Sequence, residues 1–104
     1  MFKIINSNLD SGLNDTISAG KPTGKIVIQK FGACDINNGD NKSSIYILKY
    51  GIEVIRIISL TGDTIELSVD EEVNCDGAKE LFVERYNTSS ANKQMPCWIK
   101  GYKL

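Results

Sequence analysis

The chain has 104 residues, 41% of them apolar and 24% charged, with a formal net charge of −1 and no histidine. That length holds one domain with a real core and is too short for two ordinary ones. A pI near 5.3 with no clustering of Lys or Arg excludes the electrostatic footprint of a nucleic-acid binder, no apolar run is long enough to span a bilayer, and the opening MFKIINSNLDSG turns polar after Ile5, which predicts a soluble protein made in a cytosol.

In chain order, Phe2 to Ile5 reads as a short strand, and SNLDSGLNDTISAGKPTG reads as an extended arm, because no helix has room between Gly12 and Gly20. The arm, residues 1–24, is expected to lie against the body or a neighbouring subunit, anchored by Leu13 and Ile17. The body, residues 25–104, opens with a strand over Lys25 to Phe31 that puts Ile26 and Ile28 on one side and Val27 and Phe31 on the other. DINNGDNKSS is dense in turn formers. Ile45 to Tyr50 resumes as a strand, with Ile45 and Ile47 opposed to Tyr46, Leu48 and Tyr50.

Glu53 to Val69 then reads as a hairpin. Gly62-Asp63 is a Gly-first loop suited to a type II′ turn, and pairing outward from Thr61 and Thr64 sets Leu60 against Ile65, Ile58 against Leu67 and Arg56 against Val69. One face of that ribbon is apolar, as a half-buried sheet requires. Glu71 to Lys79 offers at most one helical turn, since Asn74, Asp76 and Gly77 interrupt it. Leu81 to Tyr86 and Cys97 to Tyr102 complete the strands around a polar loop, NTSSANKQMP, and the last strand ties the C-terminus into a sheet. Seven or eight short strands predict an all-β fold: a two-sheet antiparallel sandwich, jelly-roll-like, with an extended N-terminal arm, an immunoglobulin-like topology being the open alternative although Trp98 follows all three cysteines.

The absence of histidine removes Ser-His-Asp and Cys-His sites and imidazole-bound metals. Cys34, Cys75 and Cys97 stand apart with no CxxC pair, so they read as three reduced thiols. Asp70, Glu71 and Glu72 read as a solvated acidic rim, a weak calcium site with Asp76 being the lesser alternative. Asp35 to Asn41 fails the spacing of an EF-hand loop, and Gly20 to Ile26 falls one residue short of a phosphate-binding loop and runs into a strand. No catalytic residue, metal or cofactor is predicted. The aromatic residues Tyr46, Tyr50, Tyr86, Trp98 and Tyr102 remain as candidates for a partner- or sugar-binding face, with Trp98 and Tyr102 sharing a side and Lys100 between them.

The ordered segments KIVIQKFGACDI, SSIYILKYG, VIRIISLTGDTIELSV, KELFVERYN and CWIKGYKL, running almost to the last residue, resemble the small all-β accessory proteins of tailed-phage virions, the capsid decoration or cement proteins in particular. The resemblance implies a non-enzymatic virion protein that stabilises a shell through protein contacts, as a homo-oligomer, often a trimer, bound to capsid protein or to itself. Partner contacts are then expected at Phe2, Ile4, Leu13 and Ile17 of the arm and at Trp98 and Tyr102. A carbohydrate- or receptor-binding module and a small inhibitor of a host enzyme are the alternatives, the latter using the acidic stretch from Asp70 to Asp76.

Overall fold

The computed structural model describes residues 7–36 and 44–104. Among these there is no helix, and nine strands follow in chain order: β1 (Asn8–Leu9), β2 (Asn14–Ser18), β3 (Thr23–Cys34), β4 (Ser44–Tyr50), β5 (Glu53–Leu60), β6 (Thr64–Asp76), β7 (Leu81–Asn87), β8 (Lys93–Gln94) and β9 (Cys97–Lys103). All pairings are antiparallel. The all-β class therefore agrees with the alternation of apolar and polar residues. Phe2 to Ile5 and most of the loop after Asp35 lie outside the described residues.

The strands form three sheets where the sequence suggests two: β2-β7-β4-β5, β6-β3-β9, and the pair β1-β8. The small third sheet has a local cause. Met95-Pro96 separates β8 from β9, and a proline has no N–H to continue a ladder; its carbonyl still accepts the Cys34 N–H at 2.9 Å. Beyond it Ile36 bridges Gln94. The four ladders β1·β8, β2·β7, β3·β6 and β4·β5 are nested, so that each step along the first half of the chain meets a step back along the second. Ladders β4·β7 and β3·β9 join these pairs side by side.

The expected hairpin at Gly62-Asp63 does not form. β5 and β6 lie in different sheets: Leu60 pairs with Ser44, while Thr64, Ile65 and Leu67 pair with Cys34, Ala33 and Phe31. Gly62 has the positive φ, 65°, that a Gly-first turn needs, but the turn is captured from outside. Its N–H donates to Asp35 Oδ2 at 3.1 Å, and the Asp35 N–H donates to the Asp63 carbonyl at 2.8 Å. The connection is thus a corner between sheets, pinned to the end of β3. Leu67 and Val69 still pack inward, while Ile65 is exposed.

A second difference lies within β3. Ile26, Ile28, Phe31 and Ala33 are all buried, because the register shifts between Ile28 and Lys30 and a bulge at Gln29 reverses the parity of the residues after it. On β6, Val69 and Asp70 stand against that single residue, and Asp70 takes a φ of 48°. The helical turn considered between Glu71 and Lys79 is replaced by strand through Asp76. There the Asp76 carboxylate caps the following turn, its Oδ1 accepting the N–H groups of Ala78 and Lys79 at 2.9 and 3.1 Å.

Within the segment expected as an arm, the described residues 7–24 supply strands of the sheets themselves. β2 is the outer strand beside β7, Leu9 of β1 is buried, Ile17 packs against the core, and β3 already begins at Thr23. Inward side chains of both larger sheets belong to one apolar cluster, including Ile28 and Phe31 of β3, Tyr46 and Leu48 of β4, Val83 of β7 and Ile99 of β9.

Candidate interaction surface

Two ion pairs with buried members hold the framework on which the surfaces stand. Arg85 shares the parity of Leu81 and Val83 on β7 and so points inward, where it is 1% exposed. Its guanidinium donates to both Asp15 oxygens at 2.9 and 2.6 Å and to the carbonyls of Ser7 and Met95 at 3.0 and 2.7 Å. Burial alone would lower its pKa, but the hydrogen bonds and charge of Asp15 outweigh that and raise it. One fork therefore ties β2 and the segment before β1 to the body. The second pair is Lys93 and Asp35, whose ammonium and carboxylate lie 3.2 Å apart with both side chains fully buried. Burial, reinforced by Asp35, pushes the Tyr46 phenol up, so it stays a donor to the Cys34 carbonyl at 2.6 Å.

The outer face of the four-stranded sheet is built by strand alternation and register. Its rows run Ser18, Phe82, Lys49, Val54; then Thr16, Glu84, Ile47, Ile57; then Asn14, Tyr86, Ile45, Ser59. Ile57 is 58% exposed and Val54 49%. At the centre, Lys49 Nζ donates to Glu84 Oε1 at 2.9 Å and sits over the Phe82 ring, and the Tyr86 hydroxyl donates to Glu84 Oε2 at 2.8 Å. Hydrogen bonds from Lys49 and Tyr86 hold the Glu84 carboxyl below the usual range. The face is apolar with an internally neutralised centre. Beside it, Ile52 in the turn before β5 is 98% exposed.

The edge of that sheet is guarded. β5 carries a register irregularity opposite Leu48 and Lys49, and Arg56 reaches across to β6, 3.5 Å from Glu71. A bulge and an edge charge both hinder edge-to-edge pairing. Between these edges lies a cleft of about 280 Å³ lined by Glu53, Glu71, Glu72 and Lys79 among others. The acidic stretch is thus partly paired: Glu72 lies 3.8 Å from Lys25. Among the described residues no group of three acids or cysteines is placed to hold a metal ion.

The outer face of β6-β3-β9 is polar. Trp98 lies over Gly32, where a Cβ would fall inside the indole ring, and its Nε1–H donates to Glu66 Oε2 at 2.6 Å. Lys100 Nζ is 3.0 Å from the same oxygen. The hydrogen bond from Trp98, then that from Lys100, lowers the Glu66 pKa. The next row pairs Lys30 with Lys100 and Ser68, and Val27 pairs with Tyr102.

Of the six residues expected at partner contacts, Trp98 and Tyr102 share this face, Tyr102 being 46% exposed. Leu13 stands exposed in the connection from β1 to β2, whereas Ile17 packs inward. Phe2 and Ile4 lie outside the described residues. The thiols are all free, and burial pushes that of Cys97 up to about 11. The apolar outer face was missed as a unit, although β4, apolar at Ile45 and Ile47 as well as Tyr46 and Leu48, carried its signal. No protein-family model matches the chain, and no curated protein is similar to it at a significant level.

Proposed function

We propose that the chain is a jelly-roll module of a phage virion that works by protein contact, self-associating through the outer face of its four-stranded sheet and decorating a capsid shell. The jelly-roll reading rests on the nested ladders: if β8 and β9 count as one interrupted strand, the chain is a long antiparallel ribbon rolled so that β1-β8/β9-β3-β6 opposes β2-β7-β4-β5. Four strands per sheet and a shared core favour this arrangement.

The observation that carries the functional reading is the patch of Ile45, Ile47, Val54, Ile57, Phe82 and Tyr86 on one outer face. Contiguous apolar surface of this kind marks an interaction site. A second copy fits it because the Lys49–Glu84 pair leaves the face without net charge, so like faces meet without repulsion. The guarded β5 edge directs association to the face. In this reading the protein has no catalytic role, takes no cofactor or metal, and contacts neither nucleic acid nor membrane. It is made in the host cytoplasm, and the N-terminal segment with Leu13 meets the shell, where repetition multiplies weak contacts.

Co-sedimentation of the purified protein with shells of the same phage tests the role. Saturable binding at a fixed ratio to capsid subunits supports it; a protein that stays in the supernatant at every concentration overturns it.

A further inference from the structure

We propose that the Trp98 face, on the sheet away from the apolar one, is a binding platform for an oligosaccharide bearing uronic or other carboxylated pyranoses. The indole is preorganised. Gly32 leaves room for it to lie on the sheet, and the 2.6 Å bond to Glu66 fixes its in-plane orientation. An aromatic plane held this way presents its outer side to the apolar C–H face of a sugar ring, and the ring hydroxyls then project outward to a polar rim.

That rim is present. Glu66 uses Oε2 for both Trp98 and Lys100, which leaves Oε1 to accept from a hydroxyl. Ser68 Oγ accepts from Lys30 Nζ at 2.7 Å and keeps its own proton to donate. Lys30 and Lys100 are directly opposed on neighbouring strands, an arrangement of like charges that is destabilising by itself. Lys100 is paired with Glu66, while Lys30 forms no ion pair with any described residue. A surplus positive charge beside the aromatic plane selects a sugar with a carboxylate over a neutral one. Tyr102, on the same side four residues along the strand, lies about 13 Å from Trp98 by strand rise, which favours a chain of sugars over a single one.

The test uses the single tryptophan of the chain. Galacturonic acid tetramer and a sialic acid tetramer are titrated against the intact protein, with cellotetraose as the neutral arm, and Trp98 emission and calorimetric heat are recorded. Saturable binding of at least one acidic tetramer, about tenfold tighter than cellotetraose, supports the proposal. Lys30→Gln, a surface change, is expected to weaken it about tenfold. Gly32→Ala, which displaces the indole, is expected to abolish it. Failure of both acidic tetramers to bind at millimolar concentration, equal binding of cellotetraose, or unchanged binding in Lys30→Gln overturns it. None of these outcomes bears on capsid binding, which uses other surfaces.

Discussion

Asp35→Ala tests how the corner between β5 and β6 is held. The substitution takes the carboxylate from an ammonium whose side chain is fully buried, 3.2 Å away, and also removes the acceptor of the Gly62 N–H. Taking one partner from a buried ion pair costs about 3–5 kcal/mol, a large part of the roughly 5–15 kcal/mol that holds a domain of this size. The melting temperature is then expected to fall by roughly 15 °C or more. Urea unfolding followed by circular dichroism gives the free energy directly. The Asp35→Leu/Lys93→Met double variant removes both charges and is expected to lie within about 1 kcal/mol of wild type. Hydrogen exchange at the Gly62 amide is expected to accelerate in Asp35→Ala. A loss below about 1 kcal/mol, or a double variant that merely sums the two single losses, would mean that this ion pair does not hold the corner.

Arg85→Met keeps the volume but removes four donated bonds; because Asp15 is 37% exposed and its charge can hydrate, the expected loss is at the lower end, about 3 kcal/mol, with proteolysis near Ser7 becoming faster. Stability is expected to fall in acid: hydrogen bonds from Ala78 and Lys79 lower the Asp76 pKa, those from Lys49 and Tyr86 lower that of Glu84, and those from Trp98 and Lys100 lower that of Glu66. A depressed folded pKa gives stability that is complete above the unfolded value near 4 and is lost as pH falls through the folded one, so urea midpoints should hold from neutrality to about pH 5 and drop below about pH 4. Cys97, with its thiol pushed up to about 11 and buried, should react with a disulfide reagent at mildly alkaline pH only after unfolding.

How much of the fold and the surfaces was legible depends on the range of each signal. Strand positions were readable because alternation is local: Tyr46, Leu48 and Tyr50 face in, and Arg85 follows the parity of Leu81 and Val83, although its burial as a cation shows only in the structure. The partner of β6 was not readable. Gly62 supplies the torsion of a turn, but torsion does not choose which strand comes next to it; Asp35, 27 residues earlier, does. The bulge at Gln29 also has no local mark, and it alone turns Phe31 from the outer to the inner side. Lys93 sits in a segment whose composition reads as loop, so nothing in its neighbours announced a buried charge. Trp98 and Tyr102 were found by alternation, while the need for Gly32 beneath the indole appears only once β3 and β9 are paired.

The most direct test of the contact surface is the mass of the purified protein by light scattering, for wild type and for Ile57→Asp, a position exposed enough to accept the change without loss of fold. Wild type is expected at a concentration-dependent multiple of 11.5 kDa and Ile57→Asp as a single 11.5 kDa species. A wild-type chain that remains at 11.5 kDa at all concentrations, or an assembly that Ile57→Asp leaves intact, contradicts it.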